Sequence, residues 1–216
     1  FASCGKGEII ADREARDTLV ITRERSRQVF EFAFELARSR ASAGGKSKVT
    51  LVDKANVFSS MAFFRKVFDE VAATHTDIET ERLYVDACAL DLVRRPWEFD
   101  VLVTENMFGD ILSDLAAGLV GGMGFAPSAD IGDSRAVFQP AHGSAPDIAG
   151  KGIANPTAAI LSGAMMLDWL GRKHQLSSCL DAARLIEEAV EQALQGGAEA
   201  FSSTTGMTQQ VMDAIG

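Results

Sequence analysis

The chain has 216 residues, room for one large domain or two small ones. Its 21 basic residues face 30 acidic ones, and the resulting net charge of −9 argues against a nucleic-acid partner. Apolar residues make up 47%, but Asp, Gly or Arg interrupts every apolar run short of the ~18 residues that a membrane span needs.

Residues 1–21 are polar and irregular and end in Thr18-Leu19-Val20-Ile21, which reads as an extended arm with at most one short strand. Thr22 stands at a helix start, with Glu24 and Arg25 in the first turn. Val29, Phe30, Phe32, Ala33, Phe34, Leu36 and Ala37 recur at helical spacing, so an amphipathic helix is predicted over 23–40, stopped by Ala43-Gly44-Gly45. Val49-Thr50-Leu51-Val52 is a buried strand by its β-branched content. It ends at Asp53-Lys54-Ala55-Asn56-Val57. Lys54 at the carboxyl end of such a strand is either paired with Asp53 or placed where α/β sheets bind ligands.

A helix is predicted over 60–73, then a strand Arg82-Leu83-Tyr84-Val85-Asp86 that ends in a carboxylate, then a helix over 87–94. Phe99 to Thr104 is a third strand, feeding a helix over 107–119. Alternating strands and helices, with strands that are apolar on both faces, predict an α/β fold with parallel pairing. Gly118, Gly121, Gly122 and Gly124 mark a domain transition near 120–127. Ala136–Pro140 is a short strand. The long Gly- and Pro-rich loop from His142 to Pro156 follows, and helices are predicted over 157–170, 178–195 and 207–215. That loop lets backbone N–H groups approach a ligand, but it is neither GxGxxG nor GxxxxGK[ST]. Cys4, Cys88 and Cys179 are odd in number, far apart and without CxxC, as expected of reduced thiols in a cytoplasmic protein.

The chemistry concentrates in Asn106-Met107-Phe108-Gly109-Asp110-Ile111-Leu112-Ser113-Asp114. On a helix, Asp110 and Asp114 share one face, where like charges repel. Two carboxylates aimed at one point suit a hard divalent cation, while a solvated helix face gives the same pattern. With Asp86 and Lys54 added, the set is three carboxylates and an amine. It suits a Mg²⁺ or Mn²⁺ site beside an acid/base group, or a salt-bridge network.

Four ordered strings carry a resemblance: Val52–Val57, Tyr84–Asp86, Asn106–Asp114 and His142–Gly150. They resemble the β-decarboxylating dehydrogenases, the isocitrate/isopropylmalate dehydrogenase family, with the isopropylmalate branch standing nearest. The resemblance covers nearly the whole chain and implies an isopropylmalate dehydrogenase-like fold, three-layer α/β/α with a central mixed sheet. It implies that the N-terminal part of that fold is absent, with the catalytic tyrosine and the substrate-carboxylate arginines expected upstream of Phe1. Residues 1–122 would form the substrate and dimerisation domain with its arm, and 123–216 the C-terminal part of the cofactor domain.

By position, the resemblance makes Asp86, Asp110 and Asp114 the metal ligands for Mg²⁺ or Mn²⁺, and Lys54 the catalytic lysine, with Asp86 beside it. Val57 lines the substrate pocket. The NAD-binding residues are Asn56 near the nicotinamide ribose and the loop residues His142, Gly143, Ser144, Ala145, Pro146, Asp147 and Asn155. Asp147 would favour the free ribose hydroxyls of NAD, because a 2′-phosphate would meet like charge. The implied protein is a cytoplasmic homodimer with an active site shared between subunits, Lys54 and Asp86 acting in trans to Asp110 and Asp114. Its implied reaction is oxidative decarboxylation of a 2-hydroxy dicarboxylate, 3-isopropylmalate of leucine biosynthesis first, with tartrate, malate, homoisocitrate or isocitrate as alternatives. From another class, a non-catalytic regulatory subunit would keep the fold, but such subunits tend to lose the lysine or the aspartates, and all four residues are present here.

Overall fold

The structure, a computed structural model, describes residues 7–195 and 203–216. Phe1, Cys4 and the rest of the first six residues of the arm lie outside the described residues. The chain divides into two compact units, Phe1–Ser113 and Asp114–Gly216. The division falls inside one helix, ahead of the Gly-rich stretch at 120–127.

The first unit is built on a parallel sheet of three strands, β3 (Lys48–Asp53), β4 (Glu79–Tyr84) and β5 (Val101–Val103), in the order β4-β3-β5. The register pairs Asp53 with Tyr84 and Leu51 with Val103. Residues 49–53 of the central strand are all buried, which is why its sequence does not alternate. Val49 and Leu51 join Phe30, Phe34, Phe64, Phe68 and Val71 in one core. These aromatics come from α1 (Arg23–Ala41) and α2 (Ser59–Ala72). Their rings meet at centroid distances of 4.5 Å (Phe30–Phe64), 5.2 Å (Phe30–Phe68) and 5.7 Å (Phe34–Phe68). Truncating Phe68, which touches two of these partners, leaves a cavity that packed neighbours cannot fill. We expect Phe68→Ala to cost ~3–5 kcal/mol, read from urea unfolding of the full-length protein.

The expected three Phe on α1 do not all face the core: Phe30 and Phe34 are buried, whereas Phe32 is 45% exposed. Thr22 flanks α1, but its side chain does not cap; its carbonyl accepts from Ser26 N and Oγ instead. Gly44, at φ +93°, supplies the left-handed turn that ends the helix region.

Two sequence expectations need correction. The arm forms a hairpin, β1 (Glu8–Ile10) with β2 (Glu14–Arg16), turned by Ala11 and Asp12 in left-handed conformation, while Thr18–Ile21 is irregular. That apolar run is not a strand; Ile21 instead packs on the core below α1. The second strand starts earlier and stops earlier than 82–86, because its polar residues Glu79, Thr80 and Glu81 suit the edge of a sheet and hid it from an apolar reading. Asp86 therefore does not end a strand; it lies in the first turn of α3 (Val85–Arg94). Among the described residues the strands pair as one parallel sheet of three and two antiparallel pairs.

From β5 the chain enters α4 (Asn106–Leu119), which runs on into the second unit. There β6 (Pro127–Ile131) pairs antiparallel with β7 (Ala136–Pro140). β6 follows the stretch read as a domain transition and was not among the expected strands; it opens on Pro127, a residue tolerated at the first position of a strand. α5 (Thr157–His174) packs on this pair and on α6 (Ser177–Gln195), which packs on α7 (Thr204–Ile215). The α5–α6 approach requires glycine at 171, where a Cβ would sit 2.6 Å from Leu180. Lys173 donates to Ser134 O at 2.7 Å and lies over Trp169, tying α5 to the β6–β7 turn. Among the described residues no helix is long and apolar enough to cross a membrane.

Candidate active site

Asp53, Lys54, Tyr84 and Asp86 lie at the carboxyl edge of the parallel sheet, the edge where α/β sheets bind ligands. β3 ends in Asp53, which is fully buried. Its carboxylate accepts from Ala55 N at 2.9 Å and from Arg65 of α2 through two bonds, Nε to Oδ2 at 2.7 Å and Nη2 to Oδ1 at 2.8 Å. That hydrogen-bonded pair raises the Arg65 pKa further above its ordinary value. Lys54 is not the partner of Asp53. Its ammonium turns to Asp86 Oδ1 at 2.5 Å, across to the start of α3. The hydrogen bond from Lys54 holds the Asp86 carboxyl below the usual range, with help from backbone N–H groups of the helix start. Tyr84, the last residue of β4, lies beside both cations: Arg65 is 5.1 Å and Lys54 5.9 Å from its ring centroid.

After Lys54 the chain makes a turn in which Val57 N and Phe58 N both donate to Lys54 O. Asn56 is exposed on this turn, and Val57 is 61% exposed. Two residues beyond Asp86, Cys88 is buried, and desolvation pushes its thiol up to about 11. It is therefore a thiol at neutral pH, and we expect maleimide to label Cys88 only after unfolding, as read by mass spectrometry.

β5 leads into α4 through Thr104 and Glu105. Thr104 Oγ1 donates to Val52 O at 2.7 Å, holding β5 to β3 at the edge. Glu105 is buried and caps α4, accepting from Met107 N at 2.9 Å and Phe108 N at 2.7 Å. The cap fixes the start of the helix that carries Asp110 and Asp114. Both aspartates are exposed on one face, and neither carboxylate has a hydrogen-bond or ion-pair partner among the described residues. Two unpartnered carboxylates one turn apart are a fitting donor pair for a hard divalent cation. Among the described residues no three His, Cys, Asp or Glu side chains come together as a metal site.

The second unit carries the loop after β7. His142 Nδ1 donates to Gly143 O at 2.8 Å, and Gly143, Ser144 and Asp147 are exposed. Ala145 is held at φ +42°, a left-handed conformation costly for a residue with a Cβ, and Pro146–Ile148 form a tight 3₁₀ turn behind it. Asp147 has no side-chain partner among the described residues. Asn155 is tied down: its Oδ1 accepts from Thr157 N at 2.9 Å at the start of α5, and a Cβ on Gly124 would come within 2.9 Å of Asn155 Cβ. Thr204 closes the loop from the other side, donating to Gly152 O and Ala154 O.

The profile of isocitrate/isopropylmalate dehydrogenases matches residues 3–215. The chain belongs to the isocitrate/isopropylmalate dehydrogenase family. A 3-isopropylmalate/3-methylmalate dehydrogenase of Methanocaldococcus jannaschii is 50% identical over 181 residues, covering 83% of this chain and 52% of its own length. An isocitrate/homoisocitrate dehydrogenase of Thermus thermophilus is 46% identical over 202 residues, 91% of this chain and 57% of its own. The solved isocitrate dehydrogenase of Methylococcus capsulatus superposes with a TM-score of 0.84 at 43% identity, over 98% of this chain and 63% of its own. The chain thus spans about half the length of the curated relatives it matches. Its fold is part of the isocitrate/isopropylmalate dehydrogenase fold, a mixed α/β structure with a parallel sheet.

Arg65 and Glu105 were not among the residues expected at this edge. Both left a signal. Arg65 interrupts the apolar stripe Met61, Phe64, Phe68 of α2, where a cation needs a buried carboxylate, and Asp53 is the carboxylate at the end of a buried strand. Glu105 directly precedes a helix, where a carboxylate satisfies free N–H groups.

Proposed function

We propose that the full-length protein is an NAD-dependent, Mg²⁺- or Mn²⁺-dependent dehydrogenase that oxidatively decarboxylates a 2-hydroxy dicarboxylate in the cytoplasm, with 3-isopropylmalate as the first candidate substrate. The observation that carries this reading is the Lys54–Asp86 pair at the sheet edge, on the same unit as an α4 that opens on a buried cap and presents an unpartnered Asp110. Asp86, Asp110 and Asp114 are the residues that would hold the metal. The cation would supply polarisation of the substrate hydroxyl, and NAD would take up the hydride. Lys54, in its amine form, accepts the hydroxyl proton at Nζ while Asp86 holds the side chain in place. Val57, exposed and apolar on the turn after Lys54, suits the alkyl side of a substrate such as 3-isopropylmalate.

In the same reading residues 1–122 serve substrate binding and dimerisation, and 123–216 belong to the cofactor domain. His142, Gly143, Ser144, Ala145, Pro146, Asp147 and Asn155 are the loop contacts for NAD, with Asn56 on the nicotinamide side. Asn155 also caps α5, so its role there is to hold the loop as well as to meet the cofactor. Support for the homodimer comes from large apolar side chains left in solvent on α3 and α4: Leu90, Val93, Met107 and Ile111 are 54%, 58%, 52% and 61% exposed.

The test is the absorbance of reduced nicotinamide with full-length protein, Mg²⁺ or Mn²⁺, and a panel of 3-isopropylmalate, malate, tartrate, isocitrate and homoisocitrate. Turnover is expected with NAD in preference to NADP. No turnover with any of these substrates would overturn the reading in favour of a non-catalytic subunit.

A further inference from the structure

A fully buried carboxylate needs a cationic or hydrogen-bonding partner, since an unpaired buried charge is costly. Asp53 and Lys54 are adjacent, yet they point to different partners. Both oxygens of Asp53 already accept hydrogen bonds, two from Arg65 and one from Ala55 N. The planar fork of an arginine satisfies both oxygens at once, which one ammonium cannot do. Lys54 is left to reach Asp86 at 2.5 Å. Arg65 is itself held on the other side by Tyr84, whose ring also borders the Lys54 ammonium. We propose that Arg65 is a positioning residue for Lys54: by pairing its charge with Asp53 through both oxygens it takes away the competing carboxylate and directs the lysine outward from the sheet edge to Asp86. The proposal rests on the catalytic reading of Lys54. Arg65 touches no reacting group in it and acts only through Asp53 and the turn at 54–57.

Three variants of the full-length protein test it: Arg65→Met, Arg65→Lys and the double variant Asp53→Asn with Arg65→Met. Crystal structures locate Lys54 Nζ, and steady-state kinetics separate kcat from KM. In Arg65→Met, Nζ is expected to leave Asp86 for Asp53, with kcat down about 100-fold, the scale of a small misplacement of a reacting group, and KM nearly unchanged. Arg65→Lys fills one oxygen of Asp53 and is expected to fall between that variant and the parent; it carries the comparison if Arg65→Met does not fold. In the double variant the amide no longer competes for an ammonium, so Nζ returns to Asp86 and most of kcat is restored. Nζ remaining on Asp86 in the single variants, or a double variant with no recovery, would overturn the proposal. The position of Nζ is read without turnover, so an inactive parent protein would count against the dehydrogenase reading and leave this comparison standing on its own.

Discussion

Replacing Lys54 with alanine in the full-length protein is expected to lower kcat by about 10²–10⁴-fold, the range that a positioned acid/base group contributes. The fold is expected to survive. Lys54 lies after the last residue of β3 and contributes no side chain to the core around Phe30, Phe34 and Phe68. Its ion pair is with Asp86, whose side chain is 69% exposed, so losing the pair leaves a carboxylate in water rather than a buried orphan. The buried carboxylate at this edge, Asp53, keeps Arg65 and Ala55 N and does not depend on Lys54 at all. The expected result is therefore a variant with an unchanged thermal unfolding midpoint, unchanged circular dichroism and almost no turnover. A variant that turns over at near the parent rate would sink the assignment of Lys54. A variant that unfolds would show instead that the residue is structural.

The elements that burial dictates were legible from sequence, and the polar ones were less so. β3 was readable because both its faces are covered, and α1, α2 and α4 because their apolar residues recur at helical spacing. β4 was misplaced by two to three residues because, at the edge of the sheet, it is built from Glu, Thr and Arg, and its apolar end, Leu83-Tyr84, runs without a break into the helix that opens on Val85. That shift moved Asp86 from a strand end to a helix start, where backbone N–H groups also favour its charge. The arm shows the opposite error. Thr18–Ile21 has the composition of a strand, but a strand needs a neighbour to accept its hydrogen bonds, and composition does not say whether one is there. The candidate site follows the same division. Lys54, Asp86 and the α4 aspartates were singled out from residue type, spacing and resemblance. The partner of Asp53 was not, because its pairing with Arg65 rather than with Lys54 is decided by the direction in which α2 presents a side chain.

Asp110 and Asp114 separate function from stability by sign. They stand one turn apart on α4, both exposed, with no cation beside either among the described residues. In the absence of metal the pair is therefore unfavourable to its own helix, by roughly 0.2–0.5 kcal/mol. Asp114→Asn removes one charge at nearly constant shape and helix propensity, so metal-free full-length protein is expected to gain about that much stability. The gain is small because both side chains reach water. The same substitution removes an anionic oxygen donor from a site for a hard cation, and Mn²⁺ affinity is expected to fall by at least about tenfold, with turnover falling alongside it. Asp110→Asn should behave in the same way. Calorimetric titration with Mn²⁺ and urea unfolding in chelator read the two effects separately. A solvated helix face would also gain stability on losing the repulsion, so the stability measurement alone does not discriminate. The Mn²⁺ titration does: if affinity is unchanged in both variants, the carboxylates are a surface feature and the metal must be held elsewhere. If affinity falls while stability rises, α4 carries a repulsion that only a bound cation relieves.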